Sequence, residues 1–198
     1  MKSYPVKLAL CCLLTSLLIA CTSLKEMSTD GPVEEDYGRR THGTVVEDRD
    51  IESKISINLK RDQAIAEDAN IQVKSFNRII LLTGQVPTQA SKNQAARVAQ
   101  QVRHVRNIHN ELEIGPSISF GQRSKDRMLA TRVRTRLMAA DDVESSRVEM
   151  VVENNIIYFM GLVTRIESQR IIQAAQQSSG IEKIVTAFEY IDAKQPVP

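Results

Sequence analysis

Apolar residues recur at every fourth position in Ile51, Ile55 and Leu59, and again in Leu129, Val133 and Leu137. That spacing places each trio on one face of a helix. Downstream of the first trio, Ile71 and Val73 and then residues 79–82 read as two strands joined through Asn77-Arg78, and Asn154-Asn155 takes the same turn position later in the chain. Asn tolerates the left-handed backbone of tight hairpins. Residues 88–104 return to a helical period through Ala95, Val98, Ala99 and Val102, as do residues 167–178 through Ile171, Ala174 and Ala175. Last strands then alternate Ile108, Asn110, Leu112, Ile114 and Ile184, Thr186, Phe188, Tyr190.

These elements form a duplication. Ile79-Ile80-Leu81-Leu82-Thr83-Gly84-Gln85-Val86 aligns with Ile156-Ile157-Tyr158-Phe159-Met160-Gly161-Leu162-Val163 at an offset of 77, the preceding helices align at 78 and the last strands at 76. Chance apolar similarity does not hold three segments in order at nearly fixed spacing. The predicted fold class is α+β, with two small αββαβ units over residues 50–115 and 124–192, each a three-stranded sheet covered by two helices. Gly84 and Gly161 follow the second strand of each unit, where they mark a kink or close backbone approach rather than a phosphate loop. Gly115-Pro116 and Gly121 mark the boundary between units, and so short a connector implies that the two touch.

The N-terminus carries a different pattern. Lys2 and Lys7 precede a short apolar run that closes with Leu18-Ile19-Ala20-Cys21. A run this short is a targeting segment rather than a membrane span, and a cysteine at the cut is the lipobox pattern. Residues 1–20 are thus a lipoprotein signal peptide and Cys21 the lipidation site, with Thr22 rather than Asp after it favouring the outer membrane, facing the periplasm. Several acyl chains on Cys21 anchor far more firmly than one. Residues 21–49 hold Gly31-Pro32, Glu34-Glu35-Asp36 and Gly38-Arg39-Arg40 with little apolar period, as a flexible tether does. Loss of the leader removes Cys11 and Cys12, so Cys21 is the one cysteine left and no disulfide forms within the mature chain. It also removes two of 26 basic residues and none of 24 acidic ones, leaving an even balance in which attraction to a partner must be local.

Catalytic chemistry finds no support. His42 lies in the tether, His104 and His109 bracket a helix end and a strand start, and Asp141-Asp142 sits at a helix end, so no converging acid, base, nucleophile or metal set is predicted. No cofactor motif is present. A secreted chain of balanced charge gives no nucleic-acid footprint.

The local exception is the helix of the second unit. Lys125, Arg127, Arg132, Arg134 and Arg136 face Asp126 alone, whereas the first unit mixes Asp50 and Glu52 with Lys54, Lys60 and Arg61. At about 100° per residue, Met128 falls opposite the core stripe beside Arg132 and Thr135, and Met138 falls with Arg127 and Arg134. Apolar side chains among arginines are the pattern of a membrane-surface contact. Lys125, Arg127, Met128, Thr131, Arg132, Arg134, Thr135 and Met138 are the candidate phospholipid face. The alternatives are a solvated face and methionines that fill a gap against the other unit. Lys92, Arg97, Arg103, His104 and Arg106 form a sparser second patch.

The element order and the strand-Gly-x-Val signature, most specific in Phe159-Met160-Gly161-Leu162-Val163-Thr164, resemble the BON domain. Two such units behind a lipobox are similar to the dual BON-domain outer-membrane lipoproteins of the DolP kind. The resemblance implies a non-enzymatic module that associates with anionic, phosphatidylglycerol-like phospholipid and supports envelope integrity, and it favours the helix of the second unit. The competing expectation is an interaction scaffold that docks on an envelope protein.

Overall fold

The structure, a computed structural model, describes residues 36–65 and 68–192. The expected signal peptide, Cys21 and most of the expected tether lie outside the described residues.

The first unit runs α1 (His42–Arg61), β1 (Asn70–Phe76), β2 (Ile79–Val86), α2 (Gln89–Gln100), β3 (Asn107–Asn110) and β4 (Glu113–Ile114); the second runs α3 (Phe120–Ala139), a short 3-10 turn, β5 (Val148–Glu153), β6 (Ile156–Val163), α4 (Arg165–Gln176) and β7 (Lys183–Tyr190). In each copy the central strand pairs antiparallel with its hairpin partner and parallel with the last strand. β3 and β4 are one line of chain in constant register with β2, interrupted at Glu111-Leu112. The α+β reading of two repeated units, each a sheet under two helices, holds.

Two hydrophobic cores lie between helices and sheets, one around Ile51, Ile55, Ile80, Leu82, Val98 and Leu112, the other around Leu129, Val133, Ile157, Phe159, Ile171 and Phe188. A third lies between the sheets, where Phe76 and Leu81 pack with Val151, Tyr158, Met160 and Ala187. The uninterrupted apolar runs of β2 and β6 have this cause: alternate side chains enter a helix-covered core and the inter-sheet core, so both faces are buried. The result is four layers, α1 and α2, first sheet, second sheet, α3 and α4. The sheets are separate, as duplication requires.

Both predicted hairpin turns are present, with φ of 51° and 64° at Asn77 and Arg78, and 50° and 61° at Asn154 and Asn155. Gly84 has φ of 112°, and a Cβ there would stand 2.0 Å from the Asn70 carbonyl oxygen. Close backbone approach is the reason for glycine here.

Helix starts differ from the sequence reading. α1 begins at His42 rather than near Asp50, with Thr41 as its N-cap accepting from the Thr44 N–H at 3.2 Å. The stretch from His42 to Arg49 is therefore helix, not tether. α3 begins at Phe120 rather than Ser124, with the Ser119 hydroxyl accepting from the Gln122 N–H at 3.1 Å. α2 ends at Gln100, earlier than residue 104.

Candidate functional site

α3 is held to its sheet by one buried carboxylate. Asp126, 4% exposed, accepts from the Asn154 and Asn155 backbone N–H groups at 2.9 Å each and from Gln122 Nε2 at 3.0 Å. The first unit repeats the device, with Asp48 accepting from Asn77 N and Arg78 N at 2.9 and 2.7 Å, from the Ser75 hydroxyl at 2.7 Å, and from Arg40 at 2.8 Å. Backbone donors of a left-handed turn have no strand partner, and a carboxylate satisfies two at once. Asp126 therefore does not offset the arginines of its helix, contrary to the sequence count.

Leu129, Val133 and Leu137 are buried, and every residue of the candidate face is exposed. Met128 is 65% and Met138 70% exposed, which removes the reading in which they fill a gap against the other unit. The Thr131 hydroxyl donates to the Arg127 carbonyl and that of Thr135 to the Thr131 carbonyl, each at 3.0 Å. Both hydroxyl protons are therefore used within the helix, while the side chains themselves are exposed. Among the described residues Lys125, Arg127, Arg132 and Arg134 form no ion pair. Arg132 leans over Gly180, and Arg136 donates to the Gln177 side chain at 3.3 Å, so these two border the loop before β7.

Sequence reasoning missed Phe120. It is 79% exposed and shares the helical bearing of Met138, about 27 Å along the axis at 1.5 Å per residue. Its signal was the Ser119-x-x-Gln122 cap pattern, which starts the helix a turn before the apolar period does. The outward face of α3 thus carries Phe120, Met128 and Met138 among cations with no acid between them.

The second basic patch does not assemble. Arg106 reaches Glu189 of the second unit at 2.8 and 3.1 Å, Arg97 donates to Gln94, and His104 contacts Glu47. Arg106 is instead part of the rim of the inter-sheet core. Its hydrogen bond, reinforced by one from Asn77, holds the Glu189 carboxyl below the usual carboxylate range. At the opposite rim Glu153 accepts from Gln85 at 2.8 Å, and burial there pushes its carboxyl up. Asp142 lies 3.9 Å from Arg170 on the surface. Among the described residues no group of three or more His, Cys, Asp or Glu converges as metal ligands would.

The model of the BON domain matches residues 47–116 and again 125–192. The chain is 33% identical to outer membrane lipoprotein DolP of Haemophilus influenzae, over 77% of this chain and 79% of that protein. It is 29% identical to the 21 kDa hemolysin of Actinobacillus pleuropneumoniae over 77% of this chain and 78% of that one. It is 23% identical to osmotically-inducible protein Y of Escherichia coli over 72% of each.

Proposed function

Since the chain belongs to the BON-domain family and carries two copies of the domain, we propose that it is a non-enzymatic outer-membrane lipoprotein, anchored at Cys21 and facing the periplasm, whose second domain binds anionic phospholipid and supports membrane integrity. The observation that carries the reading is the outward face of α3, where Phe120, Met128 and Met138 stand exposed among Lys125, Arg127, Arg132 and Arg134. Apolar side chains enter the headgroup boundary while guanidinium and ammonium groups stay at the phosphates. The name of the Haemophilus relative supports the compartment and the anchor.

Each basic residue beside an anionic leaflet contributes about 1 kcal/mol. Reversing Arg127 and Arg132 to Glu removes two attractions and adds two repulsions, a change on the order of 3–4 kcal/mol. The test uses the mature chain with Cys21→Ser, so that no acyl chain contributes, and co-sedimentation with phosphatidylglycerol vesicles. The double reversal weakens binding at least a hundredfold, and salt weakens wild-type binding because exposed charges are screened over about 10 Å at 0.1 M. Met128→Asp weakens it further. Undiminished binding by these variants, folded, would hand the face to a protein partner instead.

A further inference from the structure

The helix equivalent to α3 in the first domain reads as mixed in charge, but the fold sorts it. On α1, Asp48 is buried beneath its hairpin, Glu52 accepts from the Ser75 N–H at 2.8 Å, and Glu47 contacts His104 and lies 3.9 Å from Arg78. All three are turned toward their own domain. Asp50 is the acid left outward, and it pairs with Lys54 at 3.4 Å. Opposite the stripe of Ile51, Ile55 and Leu59 stand Val46 and Ile57, 62% and 48% exposed. Arg49, Lys60 and Arg61 flank them, exposed and forming no ion pair among the described residues. α1 therefore presents aliphatic side chains within a basic surround, a smaller version of the face on α3.

The layer order fixes where that face looks. α1 covers the outer side of the first sheet and α3 the outer side of the second, while the sheets meet through Leu81, Tyr158 and Met160. With layers about 10 Å apart, the two helices lie roughly 30 Å from each other and look in opposite directions. One flat bilayer cannot touch both.

We propose that the outward face of α1 is a second contact for anionic phospholipid, so that one molecule engages two lipid surfaces at once, one through each domain. The proposal rests on the phospholipid reading of α3. A lipid surface suits this face because its unpaired charges, on Arg49, Lys60 and Arg61, are positive and its apolar groups are small and separated.

The test mixes the mature Cys21→Ser chain with vesicles of phosphatidylcholine containing phosphatidylglycerol, and reads co-sedimentation and light scattering on the same samples. Wild type binds and clusters these vesicles and leaves pure phosphatidylcholine vesicles dispersed. The variant Val46→Asp with Ile57→Asp, both changes on solvent-facing positions, retains at least half of the bound fraction through α3 and loses clustering at least tenfold. Its urea midpoint matches wild type, which shows that it folds. Binding without clustering by wild type would overturn the second contact and leave α3 standing. Equal clustering by the variant would overturn it too, because self-association would then be the cause. Absence of wild-type binding would overturn both readings together.

Discussion

Removing the Asp126 carboxylate tests what holds α3 in place. Asp126→Ala deletes the acceptor of two backbone N–H groups and of the Gln122 amide, at a site 4% exposed. Hydrogen bonds to a charged group contribute roughly 1.5–3 kcal/mol each, and a buried donor left unpaired costs about 1–3 kcal/mol. Two effects lower the sum: Asn154 and Asn155 are only half-buried, so water reaches them, and the variant no longer desolvates a carboxylate. The net expectation is a loss of about 3 kcal/mol. Asp126→Asn keeps one acceptor and presents an amide N–H to the other donor, so it falls between wild type and Ala. Urea unfolding of the mature Cys21→Ser chain, followed by far-UV circular dichroism, gives the values. Asp48→Ala provides the duplicate experiment, and its loss is similar because Asp48 accepts from the corresponding turn. A cost below about 0.5 kcal/mol, as surface substitutions give, would refute the clamp.

Gly84→Ala destabilises by at least 2 kcal/mol or so, since the methyl meets the Asn70 carbonyl oxygen at a backbone angle that side chains disfavour. The two rim carboxylates carry opposite pH signatures. The Glu189 carboxyl is lowered by Arg106, so its stabilisation is complete above the unfolded carboxylate pKa and is lost as pH falls through the folded value; Glu189→Gln therefore weakens the protein at neutral pH and has no effect in acid. The Glu153 carboxyl is raised by burial, so its charge opposes folding above the raised value, and Glu153→Gln stabilises at neutral pH with a gain that disappears as pH falls through it. Thermal unfolding across pH separates the two. Mass spectrometry of the mature N-terminal peptide shows acylated Cys21, and an unmodified Cys21 or a start elsewhere would remove the anchor.

Much of the fold was legible because both copies repeat the same physical signals. The four-residue stripes of Ile51, Ile55, Leu59 and of Leu129, Val133, Leu137 became the core faces of α1 and α3, and Asn77-Arg78 and Asn154-Asn155 became left-handed turns. Helix starts were less legible, since His42 and Phe120 precede any apolar period and are set by the caps Thr41 and Ser119. The direction of charge was not legible at all. Asp126 and Asp48 occur among surface residues in sequence, and only the return of a hairpin turn 29 or 30 residues away makes them inward. The packing of sheet on sheet was written in the apolar runs of β2 and β6, whose Leu81, Tyr158 and Met160 have no place in a sheet with one wet face.

The central claim is that α3 meets the lipid with its outward face. Backbone amide shifts recorded while the mature Cys21→Ser chain is titrated with phosphatidylglycerol micelles test it residue by residue. The largest changes are expected along Phe120, Arg127, Met128, Thr131, Thr135 and Met138, smaller ones near Val46 and Ile57, and none at Tyr158 and Met160 between the sheets. An α3 that stays unmoved at saturating lipid would contradict it.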